Sequence, residues 1–95
     1  MRFEWDLEKE ALNLHKHGVS FQEAVEIFAD PNGLEEFDQE HSANEPRWIR
    51  LGLSSRRLLL VVYAEREEEV VRIIHARKAG VTQQRLYEES KRTKE

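Results

Sequence analysis

The sequence predicts an α+β domain in which helices pack on one small antiparallel sheet. Three observations carry this reading. Two capped helix starts stand near the N-terminus, at Asp6 and Ser20. The stretch from Trp48 to Tyr63 alternates and then turns continuously apolar, and a third apolar run begins at Val70. A chain of 95 residues, 39% apolar and 36% charged, fills one modest core with no room for a second. Residues 1–90 are therefore assigned to a single domain and residues 91–95 to a polar tail.

In order, Phe3 and Trp5 alternate with Glu4 in a short opening strand. Asp6 caps a helix with Leu7, Ala11 and Leu14 on one stripe, and Gly18 ends it. Ser20 opens a second helix, with Glu23 three residues on completing a capping box and Val19 and Ala24 placed as a hydrophobic staple. Phe21, Ala24, Val25 and Phe28 form its buried face. Asp30-Pro31-Asn32-Gly33 is a turn. A weak strand from Leu34 to Phe37 leads into a polar loop, Asp38 to Pro46, which is the candidate mobile element. Strands at 47–53, 58–64 and 70–77 form an antiparallel meander, with Leu58 to Tyr63 as its central, doubly covered strand. A thin amphipathic helix at about 82–90 ends the fold, with Leu86 and Tyr87 as its sizeable apolar groups.

Cysteine is absent, which excludes disulfides, thiolate metal sites and a cysteine nucleophile. No apolar run approaches the ~20 residues of a membrane span, and acids stand where a signal peptide carries cations, so a cytoplasmic protein with no membrane partner is expected. The net charge of −4 hides a gradient. Residues 1–46 carry 12 Asp/Glu against 3 Lys/Arg, and residues 47–95 carry 7 against 12. A basic second half permits a cationic cleft for phosphate or a patch for an acidic partner.

The chemistry concentrates between Val70 and Ala79, where Arg72, Arg77, Lys78 and His75 lie on an apolar strand. Guanidinium groups against a core need an anion, either a carboxylate of the domain or a phosphate that matches their planar fork. Strict alternation sets Val71, Ile73, His75 and Arg77 on one face and Arg72, Ile74, Ala76 and Lys78 on the other. Arg72 and Arg77 then converge only if a bulge intervenes or the strand ends early. His75 is placed to exchange a proton near neutral pH. His15 and His17, about 200° apart around a helix, cannot share a metal; His17, beside Lys16, suits the helix C-terminus. His41 reads as an exposed loop residue. Nothing pins Asp38, His41 and Glu45 as a metal triad, and no metal or other cofactor is called for. Tyr87 is either a core anchor or a group that stacks a base. Ser54 and Ser55 lack a nucleophile-elbow setting, and no phosphate-binding glycine loop is present.

Taken in order, the chain resembles the BrnT toxin family of bacterial type II toxin-antitoxin systems. The resemblance rests on Phe3-Glu4-Trp5-Asp6, Asn13 with Lys16 through Ala24, Phe28 with Asp30-Pro31, Asp38, His41-Ser42, Glu45, Arg47, Gly52 with Ser54, Arg57-Leu58-Leu59, Arg72-Ile73-Ile74, Ala76 through Ala79, and Tyr87. Three positions depart from the pattern: His75 stands where the family commonly has Ser, Gly80 where it often has Thr, and Gln83 where Glu is usual.

The resemblance implies a RelE-like fold and a ribonuclease that inhibits translation until an antitoxin binds it. It also implies a BrnA-like antitoxin with a ribbon-helix-helix DNA-binding part, so that operator DNA is met only through the complex. RNA carries its own nucleophile, so a metal-free nuclease need only move protons and stabilise phosphorane charge. On this reading Arg72 and Arg77 bind the phosphate, and His75 or His17 carries the proton. Lys16, Arg57 and Lys78 are secondary cations, and Tyr87 orients or stacks the substrate. The alternative is a non-catalytic module that docks an acidic or DNA-binding partner. A regulator that binds DNA alone is disfavoured, because no helix offers a basic face for the major groove.

Overall fold

A computed structural model of the protein describes residues 1–67 and 69–93. The elements are β1 (Arg2–Glu4), α1 (Leu7–His17), α2 (Phe21–Glu26) running into a 3₁₀ turn (Ile27–Ala29), β2 (Leu34–Phe37), a second 3₁₀ turn (Gln39–His41), β3 (Arg47–Leu53), β4 (Leu58–Arg66), β5 (Val70–Lys78) and α3 (Val81–Thr93). The expected element order holds. The last helix outruns its expected end at 90, and residues 94 and 95 of the assigned tail lie outside the described residues.

The strands form one sheet in the order β1-β5-β4-β3-β2. Three neighbouring pairs are antiparallel, as expected, but β1 runs parallel to β5, which makes the sheet mixed. The first strand reaches β5 by the long route through the helices and the meander, so no hairpin constrains its direction. One face of the sheet buries Leu59, Val61, Tyr63, Val71, Ile73 and Ala76 against Val19, Phe21, Ala24 and Ile27. Phe28 stacks edge-on against Tyr63, with ring centroids 5.0 Å apart.

The N-terminal caps form as the sequence indicates. Asp6 accepts from the amides of Glu8 and Lys9, and Gly18 ends α1 with φ +68°, a left-handed conformation that glycine adopts without steric cost. Two expectations are corrected. Glu23 does not close a capping box: Ser20 Oγ accepts from its amide at 3.0 Å, but the Glu23 carboxylate turns to Arg57. A charge-assisted fork outcompetes one neutral N–H donor. The apolar stripe of α1 is not its buried face either, since Leu7 is 76% and Leu14 50% exposed.

What α1 turns inward is polar. β1 pairs only with Val70 to Arg72, which leaves the outer edge of β5 beyond them without a strand. Asn13 supplies that partner: its Nδ2 donates to Ala76 O at 2.8 Å, and its Oδ1 accepts from Ala76 N at 3.2 Å. A second Nδ2 bond to Val19 O, 2.9 Å, ties the start of α2 to the same point. One buried amide thus satisfies a sheet edge that would otherwise be left unpaired.

Candidate active site

The register of β5 changes where it matters. Val62 pairs with His75 and Tyr63 with Ile73, so Ile74 is an extra residue in the strand. This bulge reverses the alternation beyond it. Arg72, His75 and Arg77 pair with Ala64, Val62 and Leu60, alternate residues of β4, and therefore share the sheet face opposite the helix-covered core. A regular strand would have set Arg72 apart from the other two.

On this face lies a groove of about 430 Å³, floored by Ile49, Leu60, Val62 and Ile74. His75 and Arg77 stand on one side, and Arg47 with Asp38, Glu40 and His41 of the β2–β3 loop stands on the other. α3 closes one end, where Gln83 and Leu86 line an adjoining cavity with Leu51, Leu60 and Arg77. At the edge of β5, the rings of His75 and His17 meet edge to face at 4.8 Å. Lys16 and His17 line a hollow with Ile74 and His75 there.

Arg77 is the cation this face leaves available. Its Nη1 donates to Lys78 O at 3.2 Å, and among the described residues no carboxylate lies within ion-pair distance of it. Burial, followed by the neighbouring His17, Arg77 and Lys16, holds the His75 imidazole below its ordinary value. It is neutral at pH 7 and able to accept a proton. The structure thus brings together His75, Arg77, His17 and Lys16 of the expected site.

The other expected site residues are engaged elsewhere. Arg72 donates to Glu45, and Arg47 lies 4.0 Å from the same carboxylate. Arg57 grips Glu23 through Nε and Nη2, at 3.0 and 2.8 Å, and gives a further bond to Gly18 O. Ser54 Oγ adds a 2.8 Å bond to Glu23. The arginine bond, working against burial, holds the Glu23 carboxyl below the usual range. Tyr87 is 1% exposed and donates its hydroxyl to Asp30 Oδ2 at 2.5 Å, so its ring offers no platform to a base. Lys78 pairs with the core residue Leu59, which places it on the parity of the covered face.

One feature of the groove is absent from the expected site. His41 directs Nδ1 at both oxygens of Asp38, at 3.2 and 3.0 Å. The Asp38 residue is 7% exposed, whereas the His41 side chain is 63% exposed. The two are three residues apart across a 3₁₀ turn, where positions i and i+3 eclipse.

A mixed five-stranded sheet with α1 and α2 on one face, and on the other a groove that α3 closes at one end and that sets Arg77 and His75 opposite an acidic loop, defines a small α+β protein. The crystal structure of the Brucella abortus ribonuclease toxin BrnT has a similar fold, with a TM-score of 0.63 at 20% identity, covering 84% of this chain and 97% of that one. The family model described as "Ribonuclease toxin, BrnT, of type II toxin-antitoxin system" matches residues 5–82. The chain belongs to the BrnT family of ribonuclease toxins. No curated protein matches the sequence.

Proposed function

We propose that this chain is an endoribonuclease that cleaves single-stranded RNA by metal-independent attack of the 2′-hydroxyl on the adjacent phosphorus. The observation that carries the reading is Arg77, without a carboxylate partner among the described residues, beside a neutral His75 on an open groove. His75 accepts the 2′-hydroxyl proton, and the Arg77 fork stabilises the charge that gathers on the phosphorane oxygens. His17 and Lys16 reinforce the positive potential along the edge of β5. Arg72 acts through Glu45, holding the β2–β3 loop to the sheet, and Arg57 and Tyr87 support the scaffold.

Cleavage of messenger RNA inhibits translation in the cytoplasm, and a BrnA-like antitoxin with a ribbon-helix-helix part neutralises the toxin and carries the pair to operator DNA. Cytoplasmic action is consistent with the described helices, none of which is long and apolar enough to cross a membrane. Induced expression tests the reading. The wild-type chain is expected to arrest growth, and His75→Ala is expected to accumulate as folded protein and permit growth, because loss of a general base costs about 10²–10⁴ in rate. Arrest by His75→Ala at an equal protein level would support the rival reading, a non-catalytic module that sequesters a partner.

A further inference from the structure

From the groove geometry we infer that His41, oriented by Asp38, is a further catalytic residue: the general acid that protonates the leaving 5′-oxygen. The inference rests on the 2′-hydroxyl mechanism proposed above.

Transfer through a pentavalent phosphorane needs two proton carriers on opposite sides of phosphorus, because the attacking and departing oxygens lie in line. His75 and Arg77 occupy the β5 wall of the groove, and His41 occupies the loop wall facing them. Asp38 accepts a proton only at its carboxylate oxygens, and both lie within hydrogen-bond reach of His41 Nδ1. This keeps a proton on Nδ1 in both charge states and leaves Nε2 as the nitrogen that carries the second proton of the imidazolium and gives it up, the arrangement by which a buried carboxylate orients a working imidazole. Asp38 is itself set by backbone bonds. Its amide donates to Arg47 O at 2.9 Å, and Ser42 Oγ, which donates to Asp38 O, also accepts from Arg47 N at 2.9 Å.

The step balances. The 2′-oxygen gives its proton to His75 and forms the new P–O bond. The P–O5′ bond breaks, and its electron pair takes the proton carried on His41 Nε2. The products are a 2′,3′-cyclic phosphate and a 5′-hydroxyl, with His75 left protonated and His41 neutral until water exchanges their protons. Asp38 touches no substrate and is a positioning residue.

A substrate whose bridging 5′-oxygen is replaced by sulfur tests the assignment, because a thiolate leaves without protonation. Purified His41→Ala is expected to cleave the ordinary RNA about 10²–10⁴-fold more slowly than wild type and the sulfur-bridged RNA within about tenfold of it. His75→Ala is expected to be slow on both, and Asp38→Asn to be partly impaired on the oxygen substrate alone. A His41→Ala protein equally slow on both substrates, or as fast as wild type on both, overturns the assignment. Wild-type protein that cleaves neither substrate, or that cleaves an all-deoxy analogue, overturns the 2′-hydroxyl reading beneath it.

Discussion

Arg77→Ala is expected to lower the rate of RNA cleavage by about 10²–10³ while leaving the fold intact. The magnitude is that of removing one preorganised donor from a site where charge develops. The selectivity for activity over stability follows from its contacts: the guanidinium makes one exposed bond to the neighbouring carbonyl of Lys78 and holds no carboxylate among the described residues. Stability should therefore change by no more than about 0.5 kcal/mol, as at other surface sites. Arg77→Lys keeps the charge but loses the planar fork, so it should recover only part of the rate. Single-turnover cleavage set beside urea denaturation of the same preparations separates the two effects. A loss of stability that accounts for the loss of rate would remove Arg77 from the chemistry.

The opposite outcome is expected at Arg57. Arg57→Ala takes the guanidinium fork from the Glu23 carboxylate, whose side chain is 8% exposed, leaving it the Ser54 hydroxyl and the more distant Arg56, and removes the bond to Gly18 O that joins the end of α1 to the β3–β4 turn. Losing charge-assisted bonds to a buried carboxylate that keeps one hydroxyl donor costs about 1.5–3 kcal/mol. In a domain of this size, each kcal/mol is worth roughly 4–8 °C, so thermal unfolding should shift down by at least about 6 °C. Replacing both residues, as Arg57→Leu with Glu23→Leu, removes the under-partnered buried charge and should restore much of the stability. Melting curves of the single and double variants decide the matter. An Arg57→Ala protein that melts like wild type but cleaves poorly would return Arg57 to the substrate.

The contrast between these two arginines marks what could be read before the fold was known. Elements were legible because they rest on local chemistry: the oxygens of Asp6 and Ser20 as caps, the left-handed Gly18, and the alternation through β3. Arg77 and His75 stand out as charge and a titratable ring on an apolar strand, whereas His17 and Lys16 enter the site only through the family resemblance. The bulge at Ile74 could not be placed from the chain alone, since it exists only relative to the β4 register. The same holds for Arg57 and Glu23, 34 residues apart. The inward face of α1 does not follow its apolar stripe because Asn13 is buried for its amide, which completes a sheet edge, and hydrophobic periodicity is blind to that reason. Asp38 and His41 left a signal that could have been used: an acid and a histidine at i and i+3 in a short polar loop, the spacing a single 3₁₀ turn brings together.

The account depends on the ribose 2′-oxygen being the attacking atom at the His75–Arg77 groove. The direct measurement uses an oligonucleotide that is deoxy throughout except for one ribose, placed at a position the purified protein cuts in all-ribose RNA, with a chelator present. Cleavage confined to the 3′ side of that ribose, yielding a 2′,3′-cyclic phosphate and a 5′-hydroxyl, is the result expected. Cleavage at deoxy positions, a 5′-phosphate product, or no cleavage of either strand would contradict it.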